Sequence, residues 1–170
     1  MERLFLEDHE FAKRPLTNVR HIARGFVLNK EGKIAIHLIK RNDSFGDASY
    51  YETPGGGIDE GETPEEAFIR ESEEEIGWHC EILKELGIVE DAYNRLSRKN
   101  INHFYLAKAI SPCPKHFVSD GDSLIADTLW ADPKELLKWY ELNRETPIGR
   151  LVYNRETPML LEALAHLGLN

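Results

Sequence analysis

The chain has 170 residues, 41% of them hydrophobic, and a formal charge of -9. That length predicts one domain over 1–170 with enough chain to bury its own core, and no apolar run approaches membrane-spanning length. The negative balance argues against broad binding of nucleic-acid polymers or anionic membranes. It leaves room for a small anionic ligand, because bound divalent ions reverse the sign of a site locally. The opening Met-Glu-Arg-Leu-Phe-Leu-Glu-Asp run breaks its apolar residues with charge and does not read as a signal peptide. Cys80 and Cys113 sit in no metal or redox spacing, so free thiols in a cytoplasmic protein are expected. A zinc-protease H-E-x-x-H, a G-x-S-x-G elbow and a Walker phosphate loop are all missing.

In chain order, residues 21–28 read as a strand, 30–33 as a turn and 34–39 as a second strand, which makes a hairpin. A polar stretch from Arg41 to Ser49 leads to Tyr50, Tyr51 and the glycines Gly55, Gly56 and Gly57. An acidic helix follows, with Gly77 as its stop. Residues 82–89 and 103–110 read as strands, 111–122 as a loop and 124–130 as a last strand. Asp132-Pro133 opens a helix to about Leu142, and Thr157-Pro158 opens another to Leu167. The string Glu-Thr-Pro recurs at 52–54, 62–64, 145–147 and 156–158 without any matching period of apolar residues. It reads as helix-start chemistry at 63–64 and 157–158 and as turns elsewhere. Interleaved strands and helices give an α/β (α+β) class.

The acidic helix carries the chemistry. Nine carboxylates lie between Asp59 and Glu75, against the single cation Arg70. Thr63 and Glu66 form a capping box, and Glu62, Glu65 and Glu66 suit the positive end of a helix dipole. Those acids have a sufficient structural reason. Glu71, Glu74 and Glu75 do not: at about 100° per residue they group beside the apolar stripe of Phe68, Ile69, Ser72 and Ile76. They also sit toward the helix C-terminus, where the dipole disfavours anions. A merely solvated face would alternate acids with lysine, yet no lysine occurs between Asp59 and Glu81. A hard divalent cation, Mg²⁺ or Mn²⁺, would resolve the conflict. The glycines would let a backbone carbonyl come close to it.

From Gly56 the chain runs G-x5-E-x7-R-E-x-x-E-E-x-G, through Glu62, Arg70, Glu71, Glu74, Glu75 and Gly77. This resembles the signature box of the Nudix (MutT-type) hydrolases. Pro54, the upstream hairpin, and Trp130 with Asp132-Pro133-Lys134-Glu135-Leu136 extend the likeness over most of the chain. The resemblance implies a Nudix-type α/β/α sandwich with a mixed sheet. It also implies metal-dependent hydrolysis of a P–O–P bridge in a nucleoside diphosphate linked to another group. By position, Glu71, Glu74 and Glu75 with the Gly55 carbonyl are the implied metal ligands, and Glu62 supports them. Arg70 would orient the carboxylates, and Glu71 or an acid outside the box would take the proton from water. Ser72 and Trp78 stand where the pattern prefers aliphatic residues, which bears on packing rather than on chemistry. A homodimer is common among proteins of this kind.

For the remaining parts the sequence offers candidates only. Asp122 and Asp120, in Ser119-Asp120-Gly121-Asp122, are candidates for a distant acid, ahead of Glu90 and Asp91. Arg41, with Lys40, and Arg95, with Arg98 and Lys99, are candidate phosphate contacts. Tyr51, Tyr50 or Phe45 would stack on a base. No marker selects one nucleotide substrate. The alternative reading is a nucleotide-binding or regulatory domain of this fold without turnover; the complete Glu71, Glu74 and Glu75 set argues against it.

Overall fold

The computed structural model describes residues 2–117 and 120–169, and the side chain of Asp120 also lies outside that description. A mixed sheet of eight strands is its centre. β1 (Glu2–Phe5), β6 (Trp78–Tyr93), β7 (Arg98–Pro112), β2 (Asn18–Leu28), β3 (Ile34–Asp43) and β4 (Gly46–Glu52) follow one another across it. β5 (Gly55–Gly57) pairs with β2, and β8 (Ile125–Ala131) pairs with β3. The β1–β6 and β2–β7 pairs are parallel and the others antiparallel.

Side-chain alternation along the central strands divides the core into two layers. On β2 and β7, Ala23, Val27, Tyr105 and Ala107 meet Ala67, Phe68 and Ile76 of α1 (Pro64–Ile76). Phe26, Phe104 and Leu106 face the other way, onto Leu136 and Tyr140 of α2 (Pro133–Glu141) and Met159, Leu160 and Leu164 of α3 (Pro147–His166). Each fully buried large apolar side chain contributes roughly 1.5–3 kcal/mol. The result is the expected sandwich, with helices on both faces of a mixed sheet.

Three departures from the sequence reading have physical causes. The 21–28/34–39 hairpin pairs only next to its turn, Leu28 with Ile34, and then splays. β2 turns to β7 and β5, while β3 turns to β4 and β8, and the gap between them becomes a cleft. The polar stretch 41–49, to which the sequence reading gives no element, is strand and turn. It forms the β3–β4 hairpin, with Asp43 accepting from the Phe45 N–H at the turn. β4 is a sheet edge, so its outward residues are polar and the strand is disguised. Finally, α3 starts eleven residues earlier than expected, at the Thr146-Pro147 copy. The Thr146 hydroxyl accepts from the Gly149 N–H at 3.2 Å. Thr157 lies inside that helix and donates to the Tyr153 carbonyl at 2.7 Å, while Pro158 merely forgoes one ladder bond.

The acidic helix follows its expected course. Thr63 caps it by accepting from the Glu66 N–H, and Gly77 ends it at φ 73°, a left-handed turn that favours glycine. Ser72 donates to the Phe68 carbonyl at 2.8 Å and so needs no other partner in the core. Trp78 opens β6 and packs, half-buried, against the α1 layer.

Candidate active site

The box residues converge on one guanidinium. Arg70 donates through Nε and Nη2 to the two oxygens of Glu62 at 2.7 and 2.9 Å, a bidentate grip. Its Nη1 reaches Glu71 at 3.0 Å and Glu74 at 3.4 Å, and Nη2 also reaches the Gly57 carbonyl at 3.0 Å. The Asp59 N–H donates back to Glu62 at 2.9 Å. One side chain therefore ties the glycine loop to the helix and fixes the carboxylates of successive turns. Those ion pairs hold the Glu62 carboxyl below its ordinary range, with the Arg70 hydrogen bonds the main cause.

Beyond that clamp lies a tighter group. One oxygen each from Glu71, Glu75 and Asp122 fall within 4.8 Å of one another, and the three residues are only 7%, 3% and 3% exposed. Asp122 arrives on a 3₁₀ turn (Asp120–Leu124) just before β8, so a residue far from the box completes the cluster. Gly56 makes room for it: a Cβ there would stand 2.5 Å from Glu71 Oε1. The Gly55 N–H donates to Glu75 Oε1 at 2.8 Å. His37 Nε2 stands 3.5 Å from the same oxygen without a hydrogen bond, its Nδ1 engaged with the Thr128 hydroxyl at 2.9 Å.

Burial and mutual repulsion set the protonation of this group. Burial raises the Glu71 carboxyl; Arg70 opposes it, and Glu74 and Asp122 add to it. Glu75 is driven well above the usual carboxylate range by burial, the Asp122 contact and Glu71, against one backbone N–H. Burial pushes the His37 imidazole down to about 4, so it brings no positive charge to the cluster. Among the described residues no lysine or arginine lies within ion-pair distance of Glu75. Three buried carboxylates this close, with oxygen donors only, fit a hard divalent cation. Among the described residues, Glu71, Glu75 and Asp122 form a group that could hold one.

The cluster lines a cleft of about 420 Å³ between the splayed strands, together with Glu74, Asp59, Arg70, Arg20, Arg24 and Glu52. Arg41 lies in the adjoining hollow, gripped by Asp43 and touching the Tyr50 hydroxyl at 3.1 Å. Tyr51 and Arg95 are elsewhere. Strand alternation sends Tyr51 to the other face, against Trp139 with ring centroids 5.3 Å apart, and leaves Tyr50 on the cleft side. Arg95 is exposed and lies over the Phe11 ring, 5.2 Å from its centroid. The Asp120 side chain falls outside the described residues.

Sequence reasoning passed over the floor of the cleft. Arg24 donates to Asn102 at 3.1 Å, Glu52 at 3.0 Å and Glu156 at 3.2 Å. Glu156, wholly buried on α3, also accepts from the Thr53 N–H, the Tyr140 hydroxyl and Arg155. A lone arginine in an apolar strand run was the available signal for Arg24. Nothing local pairs it with residues 78 and 132 positions away.

The NUDIX domain family description matches residues 19–151. Among curated relatives, the chain is 46% identical over 56 residues to the 8-oxo-dGTP diphosphatase of Haemophilus influenzae, 33% of this chain and 40% of that protein. It is 28% identical over 128 residues to the RNA pyrophosphohydrolase of Psychrobacter cryohalolentis, 67% of this chain and 71% of that protein. The first curated relatives are matched over less than half their own length. In fold, it is similar to a NUDIX hydrolase from Nitrosomonas europaea, at a TM-score of 0.61 and 16% identity over 92% of each chain. With the box helix, the distant Asp122 and the family match spanning most of its length, the chain belongs to the NUDIX domain family.

Proposed function

We propose that the chain is a divalent-metal-dependent hydrolase that cleaves the P–O–P bridge of a nucleoside diphosphate linked to another group. The observation that carries this reading is the Glu71–Glu75–Asp122 cluster on the wall of an open cleft. The names of the relatives, a diphosphatase and a pyrophosphohydrolase, support the same chemistry. A bound Mg²⁺ or Mn²⁺ would offset phosphate charge and lower the pKa of a coordinated water.

The chain's own residues do the rest. Arg70 holds Glu71 and Glu74 in place through one nitrogen and leaves Glu62 to anchor the clamp. The Gly55 N–H fixes one Glu75 oxygen, and His37 packs beside it as a neutral wall. Glu74 lines the cleft outside the tight cluster, and we assign it the proton of the attacking water. Arg20 and Arg24 line the same cleft and would meet the substrate's phosphate oxygens there.

The test is incubation with Mg²⁺ or Mn²⁺ and a panel of nucleotide sugars, dinucleoside polyphosphates and nucleoside triphosphates, with product identification. Metal-dependent products of anhydride cleavage are expected. No turnover across the panel, with tight binding of one nucleotide, would favour a binding domain instead.

A further inference from the structure

Beside the acidic cleft lies a second hollow of about 210 Å³ whose lining is of the opposite sign. Arg20, Arg24, Arg41, Arg98 and Arg155 border it, with Glu52 as the one carboxylate among the described residues. In a chain of net charge -9 this concentration needs a cause. The two hollows share Arg20, Arg24, Ile39 and Glu52 and so adjoin one another.

Three of the five guanidiniums are matched. Arg24 and Arg155 pair with Glu156 at 3.2 and 2.8 Å, and Arg41 is gripped by Asp43. Arg20 and Arg98 are not: among the described residues neither has a carboxylate within ion-pair distance. Strand alternation puts Arg20 and Arg24 on one face of β2, and Arg98, Asn100 and Asn102 on the same face of neighbouring β7. Arg98 is half-buried; its Nε is spent on Asn100 at 2.7 Å, and its guanidinium lies over the Tyr93 ring, 5.4 Å from the centroid. Burial, followed by repulsion from Arg20, holds that guanidinium below its ordinary range. Arg155 adds a fully buried Nε with no hydrogen-bond partner. The cost falls on Arg98, half-buried over an aromatic ring with no carboxylate, and an anion would offset it; Arg20, exposed beside it, is available to hold the same anion.

We infer that this hollow binds a phosphate group of the substrate outside the cleaved bridge, held between Arg20 and Arg98. The inference rests on the hydrolase reading above and narrows it: substrates carrying a further phosphate are preferred over nucleotide sugars with a neutral glycosyl group. That phosphate comes either from a longer phosphate chain or from a phosphomonoester on a ribose.

Two matched pairs separate those sources: diadenosine diphosphate against diadenosine tetraphosphate, and ADP-ribose against its 2′-phosphate. In at least one pair the phosphate-richer member is expected to show a kcat/KM about tenfold or more above the other, as a charged hydrogen-bond pair supplies. The ratio should fall toward one in Arg20→Met and Arg98→Met and persist in Arg98→Lys. Arg20 is exposed, so Arg20→Met tests the idea without endangering the fold. Equal kcat/KM within both pairs, or a preference that follows the base alone, would overturn the inference and leave the hydrolase reading intact. Should nothing be hydrolysed, that reading fails, and calorimetry with tripolyphosphate in EDTA decides for the hollow. Binding weakened about tenfold by either methionine variant supports it, and no binding to the wild type overturns it.

Discussion

Arg70 is the residue on which the geometry of the carboxylates turns. It spreads five donors over Glu62, Glu71, Glu74 and Gly57, a pattern that a lysine ammonium, as a point charge, does not reproduce. Arg70→Lys should therefore lower kcat by at least about tenfold with the fold retained, measurable by steady-state kinetics beside circular dichroism. Glu74 and Glu75 separate by position. Glu75→Gln removes a member of the tight cluster and should lose both Mn²⁺ affinity, read by calorimetry, and about 10²-fold or more in rate. Glu74→Gln should lose rate while keeping Mn²⁺ affinity; equal loss of affinity in the two would contradict the assignment. Helical period and the absence of lysine made these acids legible in the sequence. His37 and Arg24 were not, because their partners, Thr128, Glu75, Asn102 and Glu156, are brought to them only by the sheet and by α3.

Among the elements, the two long helices show what local chemistry does and does not fix. α1 was readable end to end: a Thr cap, Pro at its first turn, a glycine stop. For α3 the same Thr-Pro signal occurs twice, and a start at the second copy would spare the helix an interior proline, which is costly. Packing overrides that cost, since Ile148, Leu151 and Val152 of the first half are buried in a third apolar cluster with Ile39, Phe45 and Tyr50. Thr146→Ala should consequently cost about 1 kcal/mol of unfolding free energy as the loss of a true cap. Thr157→Ala should cost clearly less, because back-bonding by a mid-helix hydroxyl gives little. Urea denaturation of the two variants distinguishes the helix starts, and a larger loss at Thr157 would contradict the assignment. The strands of the β3–β4 hairpin stayed hidden for the complementary reason that an edge carries polar residues.

At the scale of the molecule, a buried ionic network joins the sheet to α3 beneath the cleft. Arg24, Glu52, Arg155, Glu156 and Asp91 are its charged members. Burial alone would raise the Glu52 carboxyl, but Arg24 and Arg155 outweigh it and hold it below the ordinary range. A carboxylate lowered in the folded state contributes stability above its unfolded pKa, about 4.3, and loses it as pH falls through the lower folded value. The wild type should accordingly lose stability on acidification below about pH 4, more steeply than Glu52→Gln, as read by thermal melts across that range. At neutral pH Glu52→Gln should be the less stable protein, because it leaves buried cations short of a partner. The sandwich itself was visible in the interleaving of strands and helices. The splay of β2 from β3, which makes the cleft, was not, because both strands carry ordinary strand patterns and only their choice of neighbours separates them.

The central claim, metal-dependent attack of water on a phosphoanhydride by this carboxylate cluster, is tested most directly by running the reaction in heavy-oxygen water, with Mg²⁺ or Mn²⁺ and with EDTA. Mass spectrometry of the products of an accepted nucleoside-diphosphate substrate should show one heavy oxygen in a single phosphate product with metal and no turnover with EDTA. Turnover that survives EDTA, or a label found on carbon rather than phosphorus, would contradict it.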